Sequence, residues 1–472
     1  MGARTIERHV FPLPSRHTIS RLALLLATLL CCACAAPKAR PVDQTTPAPG
    51  ILVTAGALSA ASSDRLIERR LGDGYDDPHV RELIDAFREQ ADAPLVAGNR
   101  VDLLIDGPQT LKAIRSAIEA AQHSVHVETY IFASDDIGQQ FADLLIERQR
   151  AGVEVRVIYD AVGSVTTRGA FFDRMREAGV EVREFRPLDP VRTPLPWKIN
   201  NRDHRKIVVV DGRIAFTGGI NISSAYESSS ATRPGPEVGQ DEAWRDTHVQ
   251  ITGPVAAQFQ ALFFATWTRA GGRIDTRNPL YFPAIEPAGG ELVAAVATDA
   301  DDKSETRIYA TYLEVIRHST RRLWLTNAYF APNKELRREL IAAVKRGVDV
   351  RLIVPGFTDS GLILYASRST FDELLSGGVR IFEQRYALLH AKTAVIDTAL
   401  SMVGSANLDM RSFLHNNEVN AVVVGSGFAH KLEAVFERDL KNSRELDIAT
   451  WRARPLTDKM KESASSLLSY WL

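Results

Sequence analysis

The alternation of apolar and polar positions follows the same course in two distant stretches of this 472-residue chain. Residues 124–160 and 321–356 each begin with a short apolar run, continue with apolar residues at helical spacing and end in a valine-rich run. Capping side chains precede the helical parts and glycines follow them: Asp135 or Asp136 with Gly152, and Asn333 with Gly347. The pattern predicts a strand, a helix and a second strand, present twice.

The repeat continues beyond these stretches. The segments "FFDRMREAGVEVREF" and "TFDELLSGGVRIFEQ" each predict a helix that a glycine closes and a strand follows. The fold class is therefore α/β, with two pseudo-symmetric halves packed face to face, each a mixed, mostly parallel sheet flanked by helices. We assign the halves to residues 98–270 and 290–450. Residues 37–97 are predicted to form a linker and an N-terminal helical region, and residues 451–472 an amphipathic tail.

Both halves carry the same polar motif in front of an apolar strand. "HRKIVVVD" contains His204, Lys206 and Asp211, and "HAKTAVID" contains His390, Lys392 and Asp397. One H-x-K-x-x-x-x-D pattern is a weak signal, but its recurrence at the same place in two repeats is strong. Residues two apart on a strand share a face, so we expect each His and Lys to point together into one site.

Further residues recur downstream of the two motifs. The matching pairs are Gly219 with Ser405, Asn221 with Asn407, and Asp246 with Glu418. Each asparagine lies 17 positions after its motif histidine, and each late carboxylate lies seven positions before a glycine. Each half therefore offers a His, a Lys, an Asn and a carboxylate, which suits phosphate binding and acid–base chemistry.

Other charged residues near the motifs allow more than one interpretation. Asp211 and Asp397 are either catalytic members of the motif or supports that hold a lysine or a turn at the strand end. Glu128 and His248 fit structural roles within their strands as well as functional ones. Two residues after the second motif are expected to brace that half: Asp409 and Arg411.

Composition and charge narrow the function classes. The formal net charge is -1, whereas a general nucleic-acid binder usually carries clustered Lys and Arg in surplus. We therefore expect no nucleic-acid partner. All three cysteines lie between residues 31 and 34, so the rest of the chain has no disulfide and no thiolate metal site. No metal or cofactor is predicted.

The N-terminal residues 1–36 are predicted to be an export segment. Arginines precede the apolar run Leu22–Leu30, which is shorter than the roughly 20 residues of a membrane-spanning helix. "LLCCACAAP" resembles the cleavage box of bacterial lipoproteins, with Cys34 as the lipid anchor; an ordinary signal peptide is the alternative. We expect an exported, membrane-associated protein of the bacterial cell envelope, a lipoprotein on the periplasmic side.

The doubled motif resembles the signature of the phospholipase D superfamily. "HRKIVVVDGRIAFTGGINIS", "WRDTHVQITGP", "ETYIF" and "SANLDMRSF" are similar to the bacterial cardiolipin synthase branch, and the resemblance covers about residues 98–450. It implies phospholipase D-type halves with the active site between them and a phosphohistidine intermediate. It also implies His204 as nucleophile and His390 as acid and base, although the near symmetry leaves the reverse assignment open.

The same resemblance gives the remaining site residues supporting roles. The two lysines and two asparagines would hold the nonbridging phosphate oxygens in place of a metal ion. Asp246 would accept a hydrogen bond from His204, and Glu418 from His390, so that each carboxylate orients the imidazole of its own half.

Several functions are compatible with these residues. The leading one is a phosphatidyltransferase that makes cardiolipin from phosphatidylglycerol, with phosphatidylethanolamine as a second candidate substrate. Hydrolysis of phospholipid to phosphatidic acid would use the same site, and an exported nuclease and a non-catalytic scaffold are further alternatives. The extra loop of the first half, residues 190–199 with Trp197 and Lys198, would rim the site and meet lipid, or is a tolerated surface insertion. The sequence does not indicate a protein partner.

Overall fold

The structure is a computed structural model. It describes residues 50–468 apart from the following positions: 55, 73–76, 92, 190–199, 230–242, 276, 302–305 and 359. The predicted export segment with Cys34 and the loop with Trp197 and Lys198 lie outside the described residues. Within the described part of the chain, no helix has both the length and the apolar character needed to cross a membrane.

The region ahead of the repeats forms two short strands and two helices: β1 (Leu52–Val53), β2 (Gly56–Ala57), α1 (Ala60–Leu71) and α2 (Pro78–Gln90). Ser59 caps α1 and Asp77 caps α2, each by accepting a backbone N–H of the first turn. Ile67 and Phe87 on these helices are buried with Tyr312 of the second half. The N-terminal helices therefore belong to the core of the second half.

The first half contains nine strands and four helices within its described residues. The strands are β3 (Val96–Ile105), β4 (Ser124–Thr129), β5 (Glu154–Asp160), β6 (Glu181–Phe185), β7 (Arg202–Asp203), β8 (Ile207–Val210), β9 (Ile214–Gly218), β10 (Trp244–Arg245) and β11 (Thr247–Thr252). The helices are α3 (Asp106–Glu119), α4 (Asp136–Arg150), α5 (Gly169–Glu177) and α6 (Ala256–Arg269).

The second half repeats this succession and adds elements at its C-terminal end. Its strands are β12 (Glu291–Thr298), β13 (Arg322–Asn327), β14 (Phe330–Ala331), β15 (Asp349–Pro355), β16 (Arg380–Gln384), β17 (Leu388–Leu389), β18 (Lys392–Ile396), β19 (Leu400–Gly404), β20 (Leu408–Asp409), β21 (Asn416–Val424) and β22 (Ser443–Glu445). Its helices are α7 (Arg307–His318), α8 (Lys334–Lys345), α9 (Gly361–Arg368), α10 (Phe371–Ser376), α11 (Met410–Leu414), α12 (Ser426–Lys441), α13 (Ile448–Arg452) and α14 (Leu456–Ser466).

The two halves have the same strand order. The first sheet runs β3-β11-β9-β8-β4-β5-β6, and the second runs β12-β21-β19-β18-β13-β15-β16 with β22 at its edge. In each sheet the last three of these seven strands are parallel and the other four join antiparallel. An antiparallel pairing of β3 with β12 joins the sheets. The predicted α/β class with two similar halves is confirmed.

Local sequence signals explain where the repeated helices begin and end. Asp135 caps α4 by accepting from Gly138 N, and Asn333 caps α8 by accepting from Leu336 N. The φ angles of Gly152 and Gly347 after these helices are 92° and 95°, in a region that side chains disfavour. Of the two candidate caps in the first half, the structure selects Asp135.

A shared core lies between the two sheets. It combines Val209 and Phe259 of the first half with Val395 and Val419 of the second, all of them 0–1% exposed. The strands β8 and β18 are buried throughout, because helices or the opposite sheet cover both faces. The halves therefore stabilise each other by burial of apolar surface. The residue limits predicted for the individual domains stay a prediction.

Candidate active site

Both motifs lie at the same edge of their sheets. β8 runs antiparallel to β4, so that Ile207 pairs with Glu128 near the carboxyl end of β4. Likewise Lys392 at the start of β18 pairs with Asn327 at the carboxyl end of β13. The carboxyl ends of parallel strands are where loops diverge and leave room for ligands in α/β proteins. The polar residues precede the strands because the sheet ends there.

Two short parallel pairings connect the halves around this edge. β7 pairs with β21, and His204 N donates to Asn417 O at 3.0 Å. β10 pairs with β17, and His390 N donates to Arg245 O at 2.9 Å. Each motif histidine is thus hydrogen-bonded through its backbone to a strand of the other half.

These pairings bring each histidine to the late carboxylate of the opposite half. Nδ1 of His204 lies 3.0 and 3.1 Å from the two carboxylate oxygens of Glu418. Nδ1 of His390 lies 2.9 Å from Oδ2 of Asp246. The predicted pairing within each half is wrong, because β7 and β10 pair with strands of the other half. All four side chains are buried. The contact at Nδ1 leaves Nε2, on the other side of each ring, as the reacting nitrogen.

Burial favours the neutral form of both imidazoles. It lowers the pKa of His204 to about 4, since loss of hydration outweighs the opposing effect of Glu418, and Lys206 and Lys392 lower it further. Burial and then Lys392 lower the pKa of His390 against the effect of Asp246. Lysines of both halves act on both histidines, so the two motifs share one electrostatic environment. A neutral imidazole that donates from Nδ1 presents a lone pair at Nε2.

The carboxylates remain ionised. Burial would raise the pKa of Glu418, but His204 and Lys206 outweigh it and lower the pKa below its ordinary value. The pKa of Asp246 is lowered in the same way, against burial, by His390 and Lys392. Each buried carboxylate can therefore fix the orientation and tautomer of its imidazole.

The motif lysines are buried beside their histidines. Lys206 Nζ donates to His204 O at 2.8 Å, and Lys392 Nζ donates to His390 O at 2.5 Å. Burial lowers the pKa of Lys206 to about 7, with Lys392 contributing and Glu418 opposing. Lys206 also lies 5.3 Å from the ring centroid of Tyr130. Two buried cations at one edge would bind an anionic phosphate group.

The remaining predicted residues lie around these pairs. Asn221 accepts from Ile131 N at 3.1 Å and donates to the Tyr226 hydroxyl at 2.8 Å. Asn407 donates its backbone N–H to Ser412 Oγ, and its buried Oδ1 has no hydrogen-bond partner among the described residues. An amide in this position can turn toward an incoming ligand.

Gly219 and Ser405 occupy equivalent positions but act differently. A Cβ at Gly219 would lie 2.2 Å from Oδ1 of Asp246, so only glycine leaves room for that carboxylate. The Ser405 hydroxyl instead donates to Oε2 of Glu418 at 2.5 Å. Each residue thus adapts its half to the late carboxylate.

The motif aspartates lie at the opposite end of the strands from the histidines. Asp211 accepts from the backbone N–H groups of Gln122, His123 and Ser124 at 2.7–2.9 Å, at the amino end of β4. Asp397 accepts from the N–H groups of Thr320, Arg321 and Arg322 at 2.7–2.8 Å, before β13. The four strand residues in between separate each aspartate from its motif lysine by more than ~13 Å. The catalytic interpretation of Asp211 and Asp397 is therefore corrected to a structural one.

Other residues singled out in the sequence have structural contacts. Glu128 accepts from Thr266 Oγ1 at 2.9 Å, and burial raises its pKa well above the ordinary value. His248 is buried, its Nδ1 without a hydrogen bond in the described residues, and burial lowers its pKa to about 3. Asp409 caps α11, and Arg411 donates to Asn200 of the first half at 3.0 Å.

A buried ion pair behind Asp246 was not predicted from the sequence. Arg245, 1% exposed, donates to Asp439 of α12 at 2.9 and 3.0 Å. Asp106, at a φ of 61°, accepts from Asp246 N at 3.0 Å. The ion pair with Asp439 holds β10 against the second half, and the contact with Asp106 fixes the backbone of Asp246. The signal in the sequence that could have indicated this ion pair is the charged residue directly before Asp246 in "WRDTH".

Among the described residues, no cluster of three or more His, Cys, Asp or Glu side chains is arranged to hold a metal ion. The chain has two similar α/β halves, and each half places one H-x-K motif at the edge that the halves share. This arrangement defines a protein of the phospholipase D class.

Comparisons with known proteins agree with this class. Residues 114–231 and 312–440 match the family described as Cardiolipin synthase, PLD-like domain. The chain is 37% identical over 397 residues to Cardiolipin synthase of Geobacillus kaustophilus, with 83% of this chain and 76% of the relative covered. It is 34% identical to Cardiolipin synthase 1 of Bacillus cereus, with 83% and 75% covered. The chain belongs to the cardiolipin synthase family of PLD-like proteins.

A solved structure shares the fold. The crystal structure of phosphatidylserine synthase from Haemophilus influenzae Rd KW20 has a TM-score of 0.63, covering 83% of this chain and 100% of the solved chain, at 14% sequence identity. At this identity the likeness concerns the fold alone.

Proposed function

We propose that this protein is a phosphatidyltransferase that makes cardiolipin from phosphatidylglycerol. The crossed pairs His204–Glu418 and His390–Asp246, each beside a buried lysine, carry the proposal. They provide a neutral imidazole, His204, that can attack phosphorus, a second imidazole, His390, that can exchange a proton, and a cationic cradle for the phosphate. A two-step phosphodiester exchange needs these groups. Relatives named cardiolipin synthase, matched over most of the chain, support the lipid substrate.

In the first step, Nε2 of His204 attacks the phosphorus of one phosphatidylglycerol. A P–N bond forms, the P–O bond to the headgroup glycerol breaks, and the departing oxygen takes the Nε2 proton of His390, which enters this step as the imidazolium that the second step of the preceding cycle leaves. Asp246 stabilises the protonated His390 before transfer, and Glu418 stabilises the positive charge that develops on His204.

In the second step, the hydroxyl of a second phosphatidylglycerol attacks the same phosphorus. Nε2 of His390 takes the hydroxyl proton, the new P–O bond forms, and the electron pair of the broken P–N bond returns to His204. Lys206, Lys392, Asn221 and Asn407 hold the nonbridging oxygens in both steps. One phosphodiester replaces another, so the exchange needs no nucleotide.

The proposed substrate lies in a bilayer, and the last helix supports contact with one. Leu456, Met460 and Leu467 form a stripe on α14 and its end, 75%, 71% and 75% exposed, while the opposite face buries Glu462 and Ser465. α14 packs on α9, which follows β15 at the carboxyl edge where the motifs lie. An apolar stripe on this side would enter the interfacial region of the membrane. The export segment and the Cys34 lipid anchor belong to the same proposal.

Hydrolysis is the second candidate because water would use the same site. If water replaces the acceptor hydroxyl in the second step, the product is phosphatidic acid. The net charge of -1 disfavours a nuclease, which would need a positively charged surface for its polyanionic substrate.

Mass spectrometry of the lipid products would test the proposal. We expect the purified protein to form cardiolipin in phosphatidylglycerol vesicles, and His204→Ala and His390→Ala to form less than about a thousandth as much, since each step needs both imidazoles. Phosphatidic acid alone would identify a phospholipase, and intact lipid with cut DNA in a parallel tube would identify a nuclease. Asp397→Asn, a change far from the edge, is the control for loss of stability.

A further inference from the structure

The two sides of the site are not chemically equivalent, although the fold relates them. In the cross-half pairings, Asn416 stands opposite Arg202 and Trp244 stands opposite Leu388. Trp244 and Asn416 each lie two positions before the late carboxylate, on the same face of the strand as that carboxylate. The same structural position is therefore aromatic beside His390 and an amide beside His204.

A second pair of equivalent positions is also aromatic in the first half and polar in the second. Tyr226 follows Asn221 by five positions and accepts its side-chain N–H, while Ser412 follows Asn407 by five and accepts its backbone N–H. Both accept from the asparagine of the repeat, but only one is aromatic. The difference between the two sides thus rests on two independent positions.

The aromatic side chains converge on His390. The centroid of its ring lies 5.6 Å from that of Trp244, 5.9 Å from Tyr226 and 6.2 Å from Tyr329, all at edge-on angles of 62–80°. Trp244 and Tyr329 are partly exposed. Among the described residues, Tyr130 is the aromatic side chain in ring contact with His204, at 5.0 Å.

The polar side chains near His204, Asn416 and Ser405, bind the carboxylate of Glu418. Asn416 donates to Oε1 of Glu418 at 3.2 Å and is 5% exposed. Ser405 donates to the other oxygen of the same carboxylate. These contacts fix the orientation of Glu418 and offer little surface to a ligand.

We propose that Trp244 forms the wall of the acceptor subsite and decides whether a lipid alcohol or water completes the reaction. This inference rests on the proposed function and deepens it. The acceptor hydroxyl must lie at His390, which removes its proton, so the carbons next to that hydroxyl lie against the aromatic side chains. An aromatic face binds the C–H groups of a glycerol headgroup, and its bulk excludes water from the phosphohistidine.

A lipid hydroxyl and water react at this subsite through the same bond changes. A lipid hydroxyl gives its proton to Nε2 of His390, its oxygen bonds to phosphorus, and the P–N bond to His204 breaks with its electron pair returning to Nε2. Water reacts in the same way and yields phosphatidic acid. The ratio of cardiolipin to phosphatidic acid therefore reports only this partition, whatever the rate at which the intermediate forms.

Product ratios from the full chain in phosphatidylglycerol vesicles would test the subsite. We expect Trp244→Ala to lower the ratio of cardiolipin to phosphatidic acid about tenfold, which corresponds to about 1.4 kcal/mol. Trp244→Phe should stay within about threefold of the unchanged protein, since the aromatic face remains. Trp244→Leu keeps apolar bulk and serves as the test if the alanine variant does not fold. Its ratio of cardiolipin to phosphatidic acid should lie between those of the alanine and phenylalanine variants.

The equivalent position supplies the matched control. Asn416→Ala should lower both products together and leave their ratio unchanged, because Asn416 acts through Glu418. An unchanged ratio in Trp244→Ala and Trp244→Leu would overturn the subsite, and so would a ratio that shifts in Asn416→Ala but not at Trp244. If the unchanged protein makes no cardiolipin, the proposed function itself fails, and the two failures are therefore distinct.

Discussion

At the residue scale, the chemistry depends on four buried titratable side chains whose partners come from opposite halves. Glu418 and Asp246 hold the Nδ1 atoms of His204 and His390. The carboxylates stay ionised because they face imidazoles and lysines, and burial favours the neutral form of the imidazoles because it disfavours their charge. The protein thus offers an unprotonated nucleophile, His204, near neutral pH.

The pH dependence of kcat/KM follows from these shifts. The pKa of His204 is about 4, so below that pH the nucleophile is protonated and inactive, and activity should rise as the pH increases through it. The pKa of Lys206 is about 7, so above that pH the phosphate cradle loses a charge and activity should fall. Steady-state kinetics across pH 3–9 would give both limbs. Lys206→Arg keeps its charge and should remove the fall near pH 7; an unmoved alkaline limb in that variant would contradict the assignment.

At the scale of elements, short pairings have a large effect. β7 with β21 and β10 with β17 comprise two residues on each side, yet they place each motif against the opposite half. The ion pair of Arg245 with Asp439 holds one of these pairings from behind. The final helix α14 is different, because it directs its apolar stripe outward.

Replacing that stripe tests whether α14 contacts the bilayer. We expect the triple change Leu456→Ser, Met460→Ser and Leu467→Ser to lower turnover on vesicles at least about tenfold, because exposed apolar area contributes ~25 cal/mol per Å² on burial. Turnover of detergent-dispersed phosphatidylglycerol should change less than about twofold.

Leu280→Ser is the control for this change. Leu280 is 46% exposed, and its neighbour Tyr281 contacts Glu154 at the amino end of β5, away from the motif edge. Equal losses on vesicles and detergent, or an equal loss from Leu280→Ser, would show that α14 acts on folding and not on membrane contact.

At the scale of the whole molecule, the two halves form one folding unit in the described residues. The core between them takes side chains from both, and β3 with β12 makes the sheet continuous. Unfolding of either half would expose the shared core to water, so we expect the two halves to unfold together.

Calorimetry would test this cooperativity. We expect a single unfolding transition, and Phe259→Ala, a change at a fully buried position of the shared core, to lower the free energy of unfolding by about 3–5 kcal/mol. Phe282→Ala, at a ring that is 38% exposed, should cost far less. Two resolved transitions, of which Phe259→Ala moves only one, would show that the halves unfold separately.

The amount that the sequence predicted differs between elements and contacts. The repeated helices were predicted with Asp135 or Asp136 and Asn333 as their caps, because capping and helical spacing are local signals, and the structure selects Asp135. Strand alternation predicted that His204 and Lys206 point together into one site; in the structure both residues precede β8 and are not part of a strand. The pairing of the carboxylates was predicted wrongly, since Glu418 lies 214 positions from His204 and both halves offered an equivalent partner.

The sequence alone determined the repeat, the α/β class and the residue types of the site, because these depend on periodicity and spacing along the chain. The tertiary structure decided which carboxylate orients which histidine, that Asp211 and Asp397 hold backbone at the far end of the strands, and that Trp244 and Asn416 occupy equivalent places. The physical reason is that these contacts arise where β7 meets β21 and β10 meets β17. Such pairings between distant strands are selected by burial of the whole core and leave no signal in the local pattern.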